Sequence, residues 1–119
     1  MKILFQLLFA AILFLSLYLS LTPAAKAVPM LFNDKLVHAI SYFVLMLTFD
    51  FSVKSGESII VKAVFVFLYS CAIEYAQGFV PGRDVSIMDI AANAAGIFAF
   101  VMCVPVLKRY NAYRALRIT

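Results

Sequence analysis

The sequence predicts an all-α integral membrane protein, a single bundle of four transmembrane helices. Hydrophobic residues make up 66% of its 119 residues and charged residues only 13%, whereas soluble domains contain about 25% charged residues. The apolar residues also fall into four stretches, each near the roughly 20 residues with which an α-helix crosses a bilayer. A chain of this length with four such stretches leaves room for one compact domain.

The first helix is expected from Ile3 to Leu21, a stretch without any charged residue. At 1.5 Å per residue its length matches a hydrocarbon core of about 30 Å. A secretory signal peptide is the alternative, because Lys2 gives a basic start and Ala25-Lys26-Ala27 resembles a cleavage site. The apolar part of a signal peptide is typically about 7–15 residues, which is shorter than this stretch. We therefore expect a helix that stays in the protein, followed by a loop with prolines at 23 and 29.

The other three helices are expected at about 35–53, 58–79 and 86–107. Asn33 suits the N-cap of the second helix, because its side chain can accept hydrogen bonds from free backbone N–H groups. A turn at residues 54–57 separates the second and third helices. Pro81-Gly82 is a breaker pair that ends the third helix before the fourth begins.

Basic residues predict the orientation, since they concentrate on the cytoplasmic side of membrane proteins. With a cytoplasmic N-terminus, the inner side holds Lys2, Lys54, Lys62, Lys108, Arg109, Arg114 and Arg117, and the outer side holds Lys26, Lys35 and Arg83. Both termini are therefore predicted to be cytoplasmic. Residues 1–107 form the membrane domain, and residues 108–119 form a basic tail that anchors to the inner leaflet. The net charge of +4 is thus no sign of nucleic-acid binding.

In this topology most of the polar residues within or beside the helices gather at the outer face. The predicted upper layer contains Lys35, His38, Gln77 and Asp89, and the lower layer contains Tyr42, Glu74 and Asn93. Asp34 and Arg83 lie beside the upper layer. Ionisable groups inside a membrane are costly, so a cluster of them is by default a candidate functional site.

His38 and Glu74 are the candidate catalytic residues of this cluster, as acid and base. Histidine titrates near neutral pH, and a deep carboxylate such as Glu74 needs a nearby cation or a proton. Lys35 and Arg83 are candidates to hold an anionic group such as a phosphate. The remaining candidate binding residues are Asp34, Tyr42, Gln77, Asp89 and Asn93.

Structural explanations compete with these roles. Ser86 and Asp89 have the spacing of a capping box, which would account for the Asp89 carboxylate, and Arg83 could pair with Asp84 or Asp34 at the surface. More broadly, the polar residues could hold the four helices together by hydrogen bonds.

Features outside the cluster are interpreted as structure. Asp50 and Lys62 fall at similar depth near the inner face, where either a structural ion pair or simple snorkelling explains both. Cys71 and Cys103 differ too much in depth for a disulfide. No metal-ligand spacing, P-loop, nucleophile elbow or dinucleotide motif is present, so no metal and no cofactor are predicted.

In its motifs the chain resembles the VanZ-like family of bacterial membrane proteins. The motifs are Asp34-Lys35-x-x-His38-x-x-x-Tyr42, Glu74-x-x-Gln77, and Pro81-Gly82-Arg83-x-x-Ser86-x-x-Asp89-x-x-x-Asn93-x-x-Gly96. The resemblance implies a multi-pass protein of the bacterial plasma membrane. The family is named for a protein associated with teicoplanin resistance, and the resemblance implies no settled enzymatic activity.

Three functions follow as hypotheses. The first is a membrane enzyme acting on a cell-envelope or lipid-linked substrate, and the second is a non-catalytic site for such a ligand, a glycopeptide or a partner protein at the outer face. A link to teicoplanin susceptibility is an extension of either. In the third, the polar residues serve the structure alone. Membrane lipids are the expected surroundings in each case.

Overall fold

The fold is entirely helical over the residues described by a computed structural model, 1–23, 33–53 and 56–118. The helices are α1 Lys2–Leu21, α2 Asp34–Ser52, α3 Ile59–Gln77, α4 Ile87–Leu107 and α5 Asn111–Ile118. The first four are long and apolar enough to cross a membrane, which confirms the predicted bundle of four transmembrane helices. The predicted loop features at Lys26, Pro29 and Lys54 lie outside the described residues.

The helix ends follow the predicted signals closely. The Asn33 side chain accepts hydrogen bonds from the backbone N–H groups of Lys35 and Leu36, at 2.9 and 3.4 Å. Helix α3 ends two residues earlier than predicted, because the N–H of Phe79 bonds to the carbonyl of Ala76 in a tighter turn. Gly82 then adopts a positive φ of 74°, a backbone conformation that favours glycine.

Helices α2 and α4 form the closest pair in the bundle. A side chain on Gly96 of α4 would overlap the backbone of Ala39 in α2, so the two helix backbones are in direct contact at this position. Small residues allow such close approach of membrane helices. Below this contact, Leu45, Phe100 and their neighbours form the buried core.

Helix α1 packs against the bundle through aromatic and polar contacts. The rings of Phe9 and Phe49 stack with centroids 4.6 Å apart, and the hydroxyl groups of Ser16 and Tyr69 lie 2.9 Å apart. These contacts join α1 to α2 and α3. Large apolar side chains such as Phe14 remain exposed on its outer side, as expected for a surface that faces lipid.

A buried ionic cluster centred on Asp50 lies near the C-terminal end of α2, at the end of the bundle opposite to the start of α2. The Lys62 ammonium donates to Asp50 Oδ1 at 2.7 Å, which confirms the predicted ion pair. Asp50 also accepts a hydrogen bond from the Tyr113 hydroxyl, and the Arg117 Nε lies 3.1 Å from Asp50 Oδ2. Cys71 and Cys103 are both free thiols, in agreement with their predicted separation.

The C-terminal segment differs from the simple basic tail that the sequence predicts. Residues 111–118 form helix α5, which turns Tyr113 and Arg117 inward to Asp50. Burial and the hydrogen bond to Asp50 raise the pKa of the Tyr113 phenol above its ordinary value, so the phenol stays a donor. The sequence prediction missed this helix because its contacts depend on a residue some 60 positions earlier in the chain.

Candidate functional site

The start of α2, the end of α3 and the start of α4 meet at one end of the bundle, which we call the polar end. They surround a cavity of about 110 Å³ next to the last turn of α1. The predicted site residues that line it are Asp34, His38, Tyr42, Glu74, Gln77, Arg83 and Asn93. The other two, Lys35 and Asp89, form an ion pair with each other. Lys35 also pairs with Asp34, and Asp89 faces His38. The structure thus brings together every residue of the predicted cluster.

Burial follows the two predicted layers, with one exception. Tyr42, Glu74 and Asn93 are 5%, 1% and 1% exposed, whereas the side chains of Lys35 and His38 are 42% and 18% exposed. Gln77, expected in the upper layer, is buried because its amide donates to the carbonyl of Ser20 in α1 at 3.0 Å.

A chain of hydrogen bonds crosses the cluster from α2 through α4 to α3. His38 Nδ1 lies 2.8 Å from Asn93 Oδ1, and Asn93 Nδ2 donates to the Ser70 hydroxyl at 2.8 Å. The amide therefore has partners on both of its polar atoms, as a buried side chain in a membrane bundle requires. Because Asn93 joins three helices, it positions the His38 ring relative to the cavity.

Glu74 is bonded to the backbone rather than to a cation. Its Oε2 accepts a hydrogen bond from the Ser86 N–H at 3.4 Å. Among the described residues, no cationic nitrogen lies within 4.0 Å of its carboxylate. Lys35, Arg83 and His38 are each engaged elsewhere. With no cation in reach, the requirement stated for so deep a carboxyl group is met by a proton. The group still has an oxygen that can accept a hydrogen bond from a molecule that enters the cavity.

Asp89 does more than cap a helix. The Ser86 hydroxyl accepts a hydrogen bond from the Asp89 N–H at 3.2 Å, so half of the predicted capping box is present. In a full capping box the Asp89 carboxylate would accept a hydrogen bond from the Ser86 N–H. Here Glu74 of α3 accepts that hydrogen bond instead. This exchange leaves the Asp89 carboxylate to pair with Lys35 and to face His38 Nε2 at 3.8 Å.

Both cations of the polar end have partners within the chain. The Lys35 ammonium pairs with Asp34 at 3.0 Å and with Asp89. Arg83, for which pairing with Asp84 or Asp34 was considered, instead donates to the carbonyls of Thr22 and Leu19 at 3.0 and 3.3 Å. Arg83 therefore fastens the turn after α3 to the end of α1. Among the described residues, three carboxyl groups stand against two cations, so this part of the cluster carries no net positive charge while His38 is neutral.

Comparison with models of known protein families identifies the family of this chain. The profile of the VanZ/LLP1 family matches residues 2–108. The chain belongs to the VanZ/LLP1 family. Among curated proteins and among solved structures, nothing matches this chain.

The VanZ/LLP1 match covers all four long helices and stops just before α5. Together with the four candidate membrane spans, it identifies a multi-pass membrane protein. Within the matched region, sequence reasoning missed Ser70 as a site residue. Ser70 lies four residues before Glu74, one helical turn away on the same face, and this spacing was the available signal.

Proposed function

We propose that this VanZ/LLP1 protein binds the polar head group of a membrane-borne ligand at the outer face of the bacterial plasma membrane. The observation that supports it is the cavity at the polar end, which extends from half-exposed Asp34 to buried Glu74 and Asn93. Its walls present carboxylate and amide groups, which suit a ligand with hydrogen-bond donors such as sugar hydroxyls. A lipid-linked cell-envelope precursor has that chemistry.

The size of the cavity favours a small group over a whole glycopeptide. Its volume of about 110 Å³ is a fraction of the roughly 300–1,000 Å³ that encloses a drug-sized molecule. A head group can enter while its lipid chain stays in the bilayer beside α1. Any link to teicoplanin is therefore indirect, through an envelope lipid that the protein binds.

Binding to an envelope glycolipid with an uncharged sugar head group tests the proposal. The full chain in lipid nanodiscs is compared with Glu74→Gln, which replaces the carboxyl group by an amide of the same shape and retains an acceptor for the Ser86 N–H. A hydrogen bond contributes about 0.5–1.5 kcal/mol, so retention of the lipid should fall by about 2–10-fold. Glu57→Gln, an exposed change at the opposite end of the bundle, should bind like the wild type.

Three results separate the hypotheses. Equal retention by the wild type and Glu74→Gln contradicts the binding proposal. A loss of folded yield in Glu74→Gln, with no binding by the wild type, supports the purely structural role. Conversion of the recovered lipid by the wild type alone would make the protein an enzyme, with His38 and Glu74 in the same cavity as its acid and base. Teicoplanin susceptibility of cells that produce either protein shows whether the binding affects the envelope.

A further inference from the structure

Three side chains at the rim of the polar end have the composition of a metal-binding site. Asp34, His38 and Asp89 each offer one ligand atom, and these atoms lie within 4.8 Å of one another. Asp34 and His38 are one helical turn apart on α2, and Asp89 is supplied by α4. The sequence spacing alone did not suggest a metal site, because the third ligand comes from another helix.

The orientation of the His38 ring is the observation that distinguishes this group from a simple acidic cluster. Asn93 Nδ2 donates to Ser70, which turns Asn93 Oδ1 toward His38 Nδ1 at 2.8 Å. That oxygen is an acceptor, so Nδ1 carries the proton, and in the neutral ring Nε2 has a free lone pair. Metal-binding histidines have this arrangement, with the second ring nitrogen donating to an oxygen.

The His38 Nε2 atom faces two carboxylate oxygens, Asp34 Oδ1 at 3.7 Å and Asp89 Oδ2 at 3.8 Å. Lys35 binds the other oxygen of each carboxylate, Asp34 Oδ2 at 3.0 Å and Asp89 Oδ1. Lys35 therefore holds both carboxylates in place without occupying the space between them and the ring. Lys35 supplies one positive charge against two carboxylates, so the three facing atoms lie in a region of net negative charge while His38 is neutral, which favours a cation among them.

We propose that Asp34, His38 and Asp89 bind a divalent transition metal ion of the Zn²⁺ type. One imidazole and two carboxylates suit Zn²⁺ and leave a fourth position open. In a tetrahedral Zn²⁺ site the ligand atoms lie about 3.3 Å apart, so the three groups need to move together slightly. Asp34 can do so because its side chain is half exposed. The proposal goes beyond the lipid-binding function and does not depend on it.

Metal titration of the full chain tests this site directly. The chelator-treated protein, in nanodiscs of zwitterionic lipid, is titrated with Zn²⁺ and with Co²⁺, whose visible absorption reports tetrahedral coordination. We expect one ion per chain, and at least a tenfold loss of affinity in Asp34→Asn and in Asp89→Asn. The matched control is Asp84→Asn, an exposed carboxylate in the turn before α4, which should bind like the wild type.

A protonated His38 that forms ion pairs with both carboxylates is the competing arrangement. In that case the wild type binds no more metal than Asp34→Asn does, and this result overturns the proposal. Because Asp34 lies at the rim, its variant should keep the folded yield of the wild type, so the comparison holds even if Asp89→Asn folds poorly. The metal assay contains no envelope lipid, so its failure leaves the lipid-binding result unaffected, and the reverse is also true.

Discussion

At the scale of single residues, the buried charges of this protein are stabilised by partners from distant parts of the chain. Glu74 accepts the backbone N–H of Ser86, and Arg83 donates to carbonyls at the end of α1. Each contact satisfies a polar group that would otherwise be costly to bury. The same logic explains Asp50, which is fully buried and surrounded by Lys62, Tyr113 and Arg117.

Asp50→Asn should strongly destabilise the protein, because it removes the carboxylate that faces the buried Lys62 ammonium. Breaking a buried ion pair from one side costs about 3–5 kcal/mol, which thermal unfolding in detergent would show as a large fall in Tm. Adding Lys62→Met to Asp50→Asn should recover part of the loss, since no uncompensated ammonium is then left. A single variant as stable as the wild type would contradict this account of Asp50.

At the scale of helices, the α2–α4 contact holds the site together. Asp34, Lys35 and His38 lie on α2, and Asp89 and Asn93 lie on α4, so their distances depend on how closely the two helices pack. Gly96, about one turn from Asn93, and Ala39, next to His38, set that separation. A substitution at Gly96 should therefore alter the distances within the site, although no site residue is itself replaced.

Gly96→Ala should force α2 and α4 apart, because its Cβ would overlap the backbone of Ala39. Overpacking of this kind costs about 1–3 kcal/mol, so we expect a lower Tm and weaker binding at the polar end. Ala95→Val, a larger change at the exposed neighbouring position, is the control and should leave both nearly unaltered. Equal effects of the two changes would show that the close contact at Gly96 is unimportant.

At the scale of the whole molecule, the bundle has a polar end with the cavity and an opposite end that contains the Asp50 cluster and α5. The distribution of basic residues predicts that the polar end faces outward and that both termini lie in the cytoplasm. The proposed lipid-binding function depends on this orientation, because envelope precursors are used on the outer side.

Cysteine labelling in intact cells tests the orientation. In a background with Cys71→Ala and Cys103→Ala, Asp84→Cys at the polar end should react with a membrane-impermeant maleimide. Tyr110→Cys, exposed at the opposite end, should react only after the membrane is permeabilised. The reverse pattern would place the polar end in the cytoplasm and remove the basis for an outer-face ligand.

The sequence by itself determined the helices, their approximate ends and the membership of the polar cluster. Hydropathy sets the spans, because lipid accepts only apolar helices of about 20 residues. Since those helices run up and down, the position of each polar residue along its span predicts which of them gather at one end. Helix α5 escaped prediction, because a short polar helix has no such signal.

Only the tertiary structure decided which polar atoms pair. Helix rotation and side-chain direction determine whether Glu74 reaches a cation or the Ser86 N–H, and neither can be calculated from spacing along one helix. For the same reason, the sequence predicted a capping role for the Asp89 carboxylate, whereas in the structure it pairs with Lys35 and lies near His38. Hydropathy acts within each helix, whereas hydrogen bonds between helices depend on how the whole bundle packs.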